Sequence, residues 1–156
     1  MARKLVTIEN AKLVIKNFSG KPEKYTPEGK RSFGVVISPE LAQQFEEEGL
    51  PVKYFAPRHE EDEPLPWIKV KINMKRDNPP KIFSIRGERG EDKTELTEST
   101  MSVLDYTDID YAHMQLSIYE WEYGNKTGKA FYLQNLAAYL DEDDFLSKYN
   151  LKDVQD

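Results

Sequence analysis

The sequence predicts a β-dominated fold, an antiparallel barrel or sandwich with one or two short helices. Three observations carry this. Short segments rich in β-branched and aromatic residues are separated by clusters of Gly, Pro, Asn and Asp. Residues 67–75, WIKVKINMK, alternate apolar and polar with period two, as a half-buried strand does. Only one segment carries clear helical start and stop signals, so helices do not alternate with strands as a parallel α/β sheet requires. A chain of 156 residues suits one domain, here residues 1–140, followed by an acidic tail over residues 141–156.

The elements follow in order. Residues 5–18, LVTIENAKLVIKNF, predict a strand or a bulged pair of strands ending at Ser19-Gly20. The next stretch, SGKPEKYTPEGK, has two prolines and two glycines and reads as a basic loop. RSFGVVIS (31–38) is a second strand. Ser38-Pro39-Glu40 opens a helix with a capping serine, a proline at the first helical position and an acidic residue near the positive end of the dipole. It places Leu41 and Phe45 on one face and stops at Gly49.

VKYF (52–55) is a brief strand, and APRHEEDEPLP an acidic loop. After WIKVKINMK comes a short strand, KIFSIRG, and then a charged loop, GERGEDKTE. Residues 100–104 are a further strand candidate. HMQLSIYEWEY (113–123) and AFYLQNLAAYL (130–140) form a hairpin about a turn at residues 124–128. The tail is expected to make one or two helical turns between Asp143 and Tyr149.

Net charge is −6, which on its face disfavours a polyanionic partner. The charge is segregated, however. Residues 1–36 hold eight basic and three acidic residues, and residues 65–87 six and one. Residues 37–64 and 88–111 each hold two basic and eight acidic. A negative chain can thus carry a positive face built from strands. With no cysteine, disulfides and thiolate catalysis are excluded. The opening MARKLVTIEN has no apolar run behind its basic residues, and no stretch reaches the ~18 apolar residues of a membrane helix. A soluble intracellular protein is expected.

Two histidines, His59 and His113, and no nucleophile-elbow or phosphate-loop context leave a hydrolase triad without parts. Asp105, Asp108 and Asp110, or Asp141 to Asp144, have spacings that can gather a hard cation, yet lack the glycine and closing glutamate of a calcium loop; aspartates at loop starts more often cap turns. No cofactor and no metal are expected. A carboxylate-dependent nuclease is the weakest of three functional readings.

Binding is better supported. On the strand 67–75, Trp67, Lys69, Lys71 and Lys75 share the face opposite Ile68, Val70 and Ile72. An indole at the head of a lysine row is costly unless something covers it. Tyr119, Trp121 and Tyr123 likewise share one face of their strand. Bases of single strands stack on such rings while lysines follow the phosphates. In the N-terminal segment Lys12, Val14, Lys16 and Phe18 share a face, and the following loop adds Lys21, Lys24, Tyr25, Lys30 and Arg31, with Phe33 two residues on. The candidate phosphate ligands are therefore Lys16, Lys21, Lys24, Lys30, Arg31, Lys69, Lys71 and Lys75, and the candidate stacking rings Tyr25, Phe33, Trp67, Tyr119 and Trp121. The competing reading is a structural or adaptor protein, such as a virion or assembly component, whose aromatic rows bury against a partner or a second copy.

In order and texture, NAKLVIKNFSG, GKRSFGVVI, PVKYFAP, WIKVKINMK with NPPKIF, and LSIYEWEYGNKTGKAFYL with its acidic end resemble phage-encoded single-stranded DNA-binding proteins of Gram-positive hosts. The resemblance covers residues 8–149. It implies an OB-fold-like antiparallel β-barrel with long loops, sequence-tolerant coating of single-stranded DNA in phage replication or recombination within the host cytoplasm, and no enzymatic activity. It also implies that the acidic tail, with Asp141, Glu142, Asp143 and Asp144, recruits replication or recombination proteins. The tail ends in Val154-Gln155-Asp156, without the aromatic or apolar tip common in such tails.

Overall fold

The computed structural model describes residues 5–21, 30–57, 59–86 and 92–140. Eight strands and one α-helix make up the domain: β1 (Leu5–Asn17), β2 (Arg31–Val36), α1 (Pro39–Glu47), β3 (Lys53–Phe55), β4 (Leu65–Ile72), β5 (Lys81–Arg86), β6 (Asp92–Leu96), β7 (Ile109–Tyr123) and β8 (Lys126–Leu140). They form one sheet in the order β3-β4-β2-β1-β7-β8-β5-β6. A further pairing of β4 with β8 closes β4-β2-β1-β7-β8 into a five-stranded barrel of the OB-fold-like kind. The closing seam is parallel, with Val70 opposite Phe131 and Lys71 opposite Tyr132.

Alternation makes the wall. Along β4, Ile68 and Val70 are fully buried and Ile72 nearly so, while Lys69 and Lys71 are exposed. Leu116 of β7 and Phe131, Leu133 and Leu136 of β8 meet them inside. Ser38 caps α1 as expected, its Oγ accepting from the Leu41 backbone N–H at 3.2 Å. Ala42 and Phe45 are the residues α1 buries, and the Phe45 ring packs on Phe131 with centroids 5.2 Å apart.

β1 serves two partners, pairing first with β7 and then with β2. It bends at Asn10 and Ile15, both in the left-handed region (φ 53° and 47°) where the pairing registers shift. The bulged-strand expectation is met, but its consequence was not foreseen. The extra residue at Ile15 breaks the common face expected for Lys12, Val14, Lys16 and Phe18: Lys12 is exposed, whereas Phe18 is wholly buried.

Four further expectations are corrected. β4 starts at Leu65 and ends at Ile72, so Lys75 lies in a turn rather than on the strand. The supposed charged loop contains β6, an exposed strand paired with β5. Residues 101–105 are a 3-10 helix whose Met101 and Leu104 are fully buried. The hairpin between β7 and β8 is tighter than residues 124–128, since Tyr123 already pairs with Lys126. The tail expectation lies outside the described residues.

Candidate nucleic-acid interface

β4 sits where the barrel meets its surroundings. One of its edges pairs with β2, from Arg31–Ile72 to Val36–Trp67. The other is shared by β3, opposite Leu65 to Trp67, and by β8, opposite Val70 and Lys71. The outward residues of four strands therefore form one surface around the row Trp67, Lys69, Lys71.

At the head of that row the indole is covered by protein. Phe55 stacks on Trp67 with centroids 5.1 Å apart and planes inclined by 12°. The Lys53 ammonium stands 5.4 Å from the indole centroid. Trp67 remains half-buried.

Lysines cluster behind it. The Lys71 ammonium is held below the ordinary lysine pKa, first by partial burial and then by the charges of Lys69, Lys30 and Lys53. Lys69, Lys30 and Lys53 thus lie near enough for their charges to act on Lys71, a repulsion that a phosphate chain would relieve. Across the seam, Tyr132 shares the outward side with Lys71, because its neighbours Phe131 and Leu133 are inside the barrel. The Tyr132 ring meets the exposed Tyr119 edge-on at 5.9 Å. Trp121 and Tyr123 continue this side toward the hairpin tip, Tyr123 being 82% exposed.

Of the candidates read from sequence, Lys30, Trp67, Lys69 and Lys71 come together; Tyr119 joins through Tyr132, and Trp121 extends the same strand side. Others have different partners. Phe33 is not a stacking platform: it is 1% exposed and stacks on Phe18 within the core at 5.3 Å. On β2 it is the neighbour, Gly34, that faces outward. The Lys16 ammonium donates to the Thr107 carbonyl at 2.8 Å, and burial lowers its pKa against the opposing pull of Asp105 and Asp108. Arg31 donates to the Phe18 carbonyl at 3.0 Å and pairs with Glu98 at 3.3 Å. Lys75 reaches the same Glu98 at 3.4 Å. Lys21 stands over the Tyr106 ring at 4.6 Å, and a hydrogen bond with the Tyr106 side chain raises its pKa. Lys24 and Tyr25 lie outside the described residues.

Sequence reasoning missed Lys53, Phe55 and Tyr132. The first two were within reach, since period-two alternation in VKYF puts Lys53 and Phe55 on one side. Tyr132 required knowing the seam.

Of the candidate carboxylates, Asp105 has structural partners. Asp105 accepts the backbone N–H groups of Phe18 (2.7 Å) and Ser19 (3.0 Å), fastening the exit of β1. Among the described residues no three His, Cys, Asp or Glu side chains gather as a metal site. His113 accepts the Asn10 N–H through Nδ1 at 3.1 Å and packs against Tyr111 and Tyr139. No described helix is long and apolar enough to cross a membrane.

The arrangement resembles solved proteins. The single-stranded DNA-binding protein from bacteriophage Enc34 superposes with a TM-score of 0.55 at 12% identity, covering 90% of this chain and 83% of that one. Its C-terminal truncation gives 0.56 at 11% identity, with 90% and 88% covered. The same Enc34 protein in complex with ssDNA gives 0.53 at 12%, with 90% and 89% covered. These likenesses show a shared fold. No curated protein matches the chain. The model of the family described as "Putative phage ssDNA-binding domain" matches residues 2–155, and over that length the chain belongs to this family.

Proposed function

We propose that the protein binds single-stranded DNA without strong sequence preference and without catalysing a reaction on it. The reading rests on one observation above all: the parallel β4–β8 seam sets the Trp67, Lys69, Lys71 row beside Tyr132 and Tyr119 on a single outer face. Stacking on exposed rings tolerates any base, and clustered ammonium groups attract phosphates of any sequence. Family membership and the ssDNA complex of the Enc34 protein support the same reading. In this reading the protein coats single strands during phage replication or recombination in the host cytoplasm. The acidic segment 141–156 is the part assigned to replication or recombination proteins, on its charge alone.

The test is a titration with a thymine oligonucleotide and with a matched duplex, following tryptophan emission at two salt concentrations. Quenching by the single strand alone, weakening as salt rises, is the expected result. Unchanged emission and no binding at low salt would assign the face to a protein partner or a second copy instead.

A further inference from the structure

We infer that Gly34 and Phe55 are positioning residues that fix the plane of the Trp67 indole, so that the ring meets single-stranded DNA already oriented. The inference rests on the DNA-binding reading above. Glycine weakens the interior of a strand and needs a reason to stand there. At Gly34 the reason is not backbone conformation, since the glycines with positive φ are Gly20, Gly49 and Gly124. It is space. A Cβ on Gly34 would stand 2.8 Å from Cε3 and 3.0 Å from Cζ3 of Trp67, and 2.9 Å from Cγ2 of Val14. Carbon atoms pack at about 3.5–4.0 Å, so the indole occupies the volume that a side chain would take.

Phe55 completes the seat, its plane within 12° of the indole's. A flexible surface ring must lose rotamer freedom when a base stacks on it; a ring lying over Gly34 and against Phe55 has lost it on folding. Trp121, the other tryptophan, has the same relation to Gly128, its cross-strand partner, where a Cβ would overlap the indole. Both indoles of the chain thus lie on a glycine of a neighbouring strand.

A double-mutant cycle separates this role from a structural one. Binding of a labelled thymine oligonucleotide is measured by anisotropy for the parent, W67A, G34A and G34A/W67A, with melting temperatures recorded alongside. W67A is expected to bind about tenfold more weakly, one stacking interaction lost. G34A, with its fold intact, is expected to lose a large part of that factor, and to change nothing further in the W67A background.

Parent-like binding by G34A beside weak binding by W67A would overturn the positioning role and leave the DNA-binding face standing. Equal losses from G34A in both backgrounds would also overturn it, because Gly34 would then act independently of the ring. Parent-like binding by W67A would remove Trp67 from the interface and the inference with it. Should G34A fail to fold, F55L serves in its place: a loss seen only when Trp67 is present supports the role, and an unchanged affinity overturns it.

Discussion

Lys71 and Tyr132 are 61 positions apart in sequence and direct partners across the seam that closes the barrel. This pairing joins a basic row to an aromatic one. Val70 and Phe131, the adjacent pair, are both fully buried, so Lys71 and Tyr132 must both point outward. Replacing Tyr132 by alanine removes a half-buried ring at the junction and deprives Tyr119 of its edge-on partner. Single-strand affinity should fall about five- to tenfold, the low end of what one lost stacking contact costs, with only a small drop in melting temperature. Y132F, which keeps the ring, should bind as the parent does. Anisotropy titrations and thermal melts of the two variants check both statements.

Phe33 makes the opposite prediction. It points inward onto Phe18, so F33A should cost stability of about 3–5 kcal/mol, as truncation of a buried phenylalanine does, measurable by urea unfolding. The fraction that remains folded should still bind single strands. Normal stability with weakened binding would return Phe33 to the interface.

How much of this was legible depended on whether a residue's environment is written nearby in the chain. Alternation in IKVKI marked core and solvent faces because one side is fully buried, and Ser38-Pro39 marked the start of α1 because capping is a local interaction. β6 was not legible. Asp92 to Glu95 are exposed, so no apolar period records the strand, which is held by its backbone pairing with β5. The left-handed Ile15 runs against the preference of a β-branched residue, and its bulge turned the expected lysine face of β1 aside. The Phe33 error came from reading a ring beside basic residues as exposed, when its β2 alternation with Val35 also fits the core. Tyr132 was overlooked because no short-range pattern announces a parallel pairing between distant strands.

The proposed phosphate-binding lysines should be separable by salt dependence. Each ammonium that displaces counterions from a single strand contributes about 0.7 to the slope of log K against log salt. Neutralising Lys69 and Lys71 together, as K69Q/K71Q, should lower the slope by about 1.4, twice the single-charge value. K75Q should leave it nearly unchanged, because Lys75 lies in the turn after β4 and pairs with Glu98. A K75Q effect as large as that of the double variant would redraw the path of the backbone.

As a proposed phosphate ligand, Lys71 should also set an alkaline limit on binding. Burial and the charges of Lys69, Lys30 and Lys53 lower its pKa in the folded protein from the usual 10.5, so the free protein loses this proton earlier than an ordinary lysine would. For folding, the sign follows directly: between the lowered pKa and 10.5 the unfolded chain holds more protons, and the penalty of burying the charge is relieved as pH rises through that window. For binding the sign reverses. A phosphate beside Lys71 favours the ammonium, so DNA binding takes up a proton there, and affinity should fall as pH rises through the lowered pKa, below 10.5. K71R stays charged throughout and should flatten that fall, with a smaller residual decline from the neighbouring lysines. Anisotropy titrations of the parent and K71R across the alkaline range, at constant ionic strength, measure the difference. Parallel pH profiles would mean that Lys71 makes no phosphate contact.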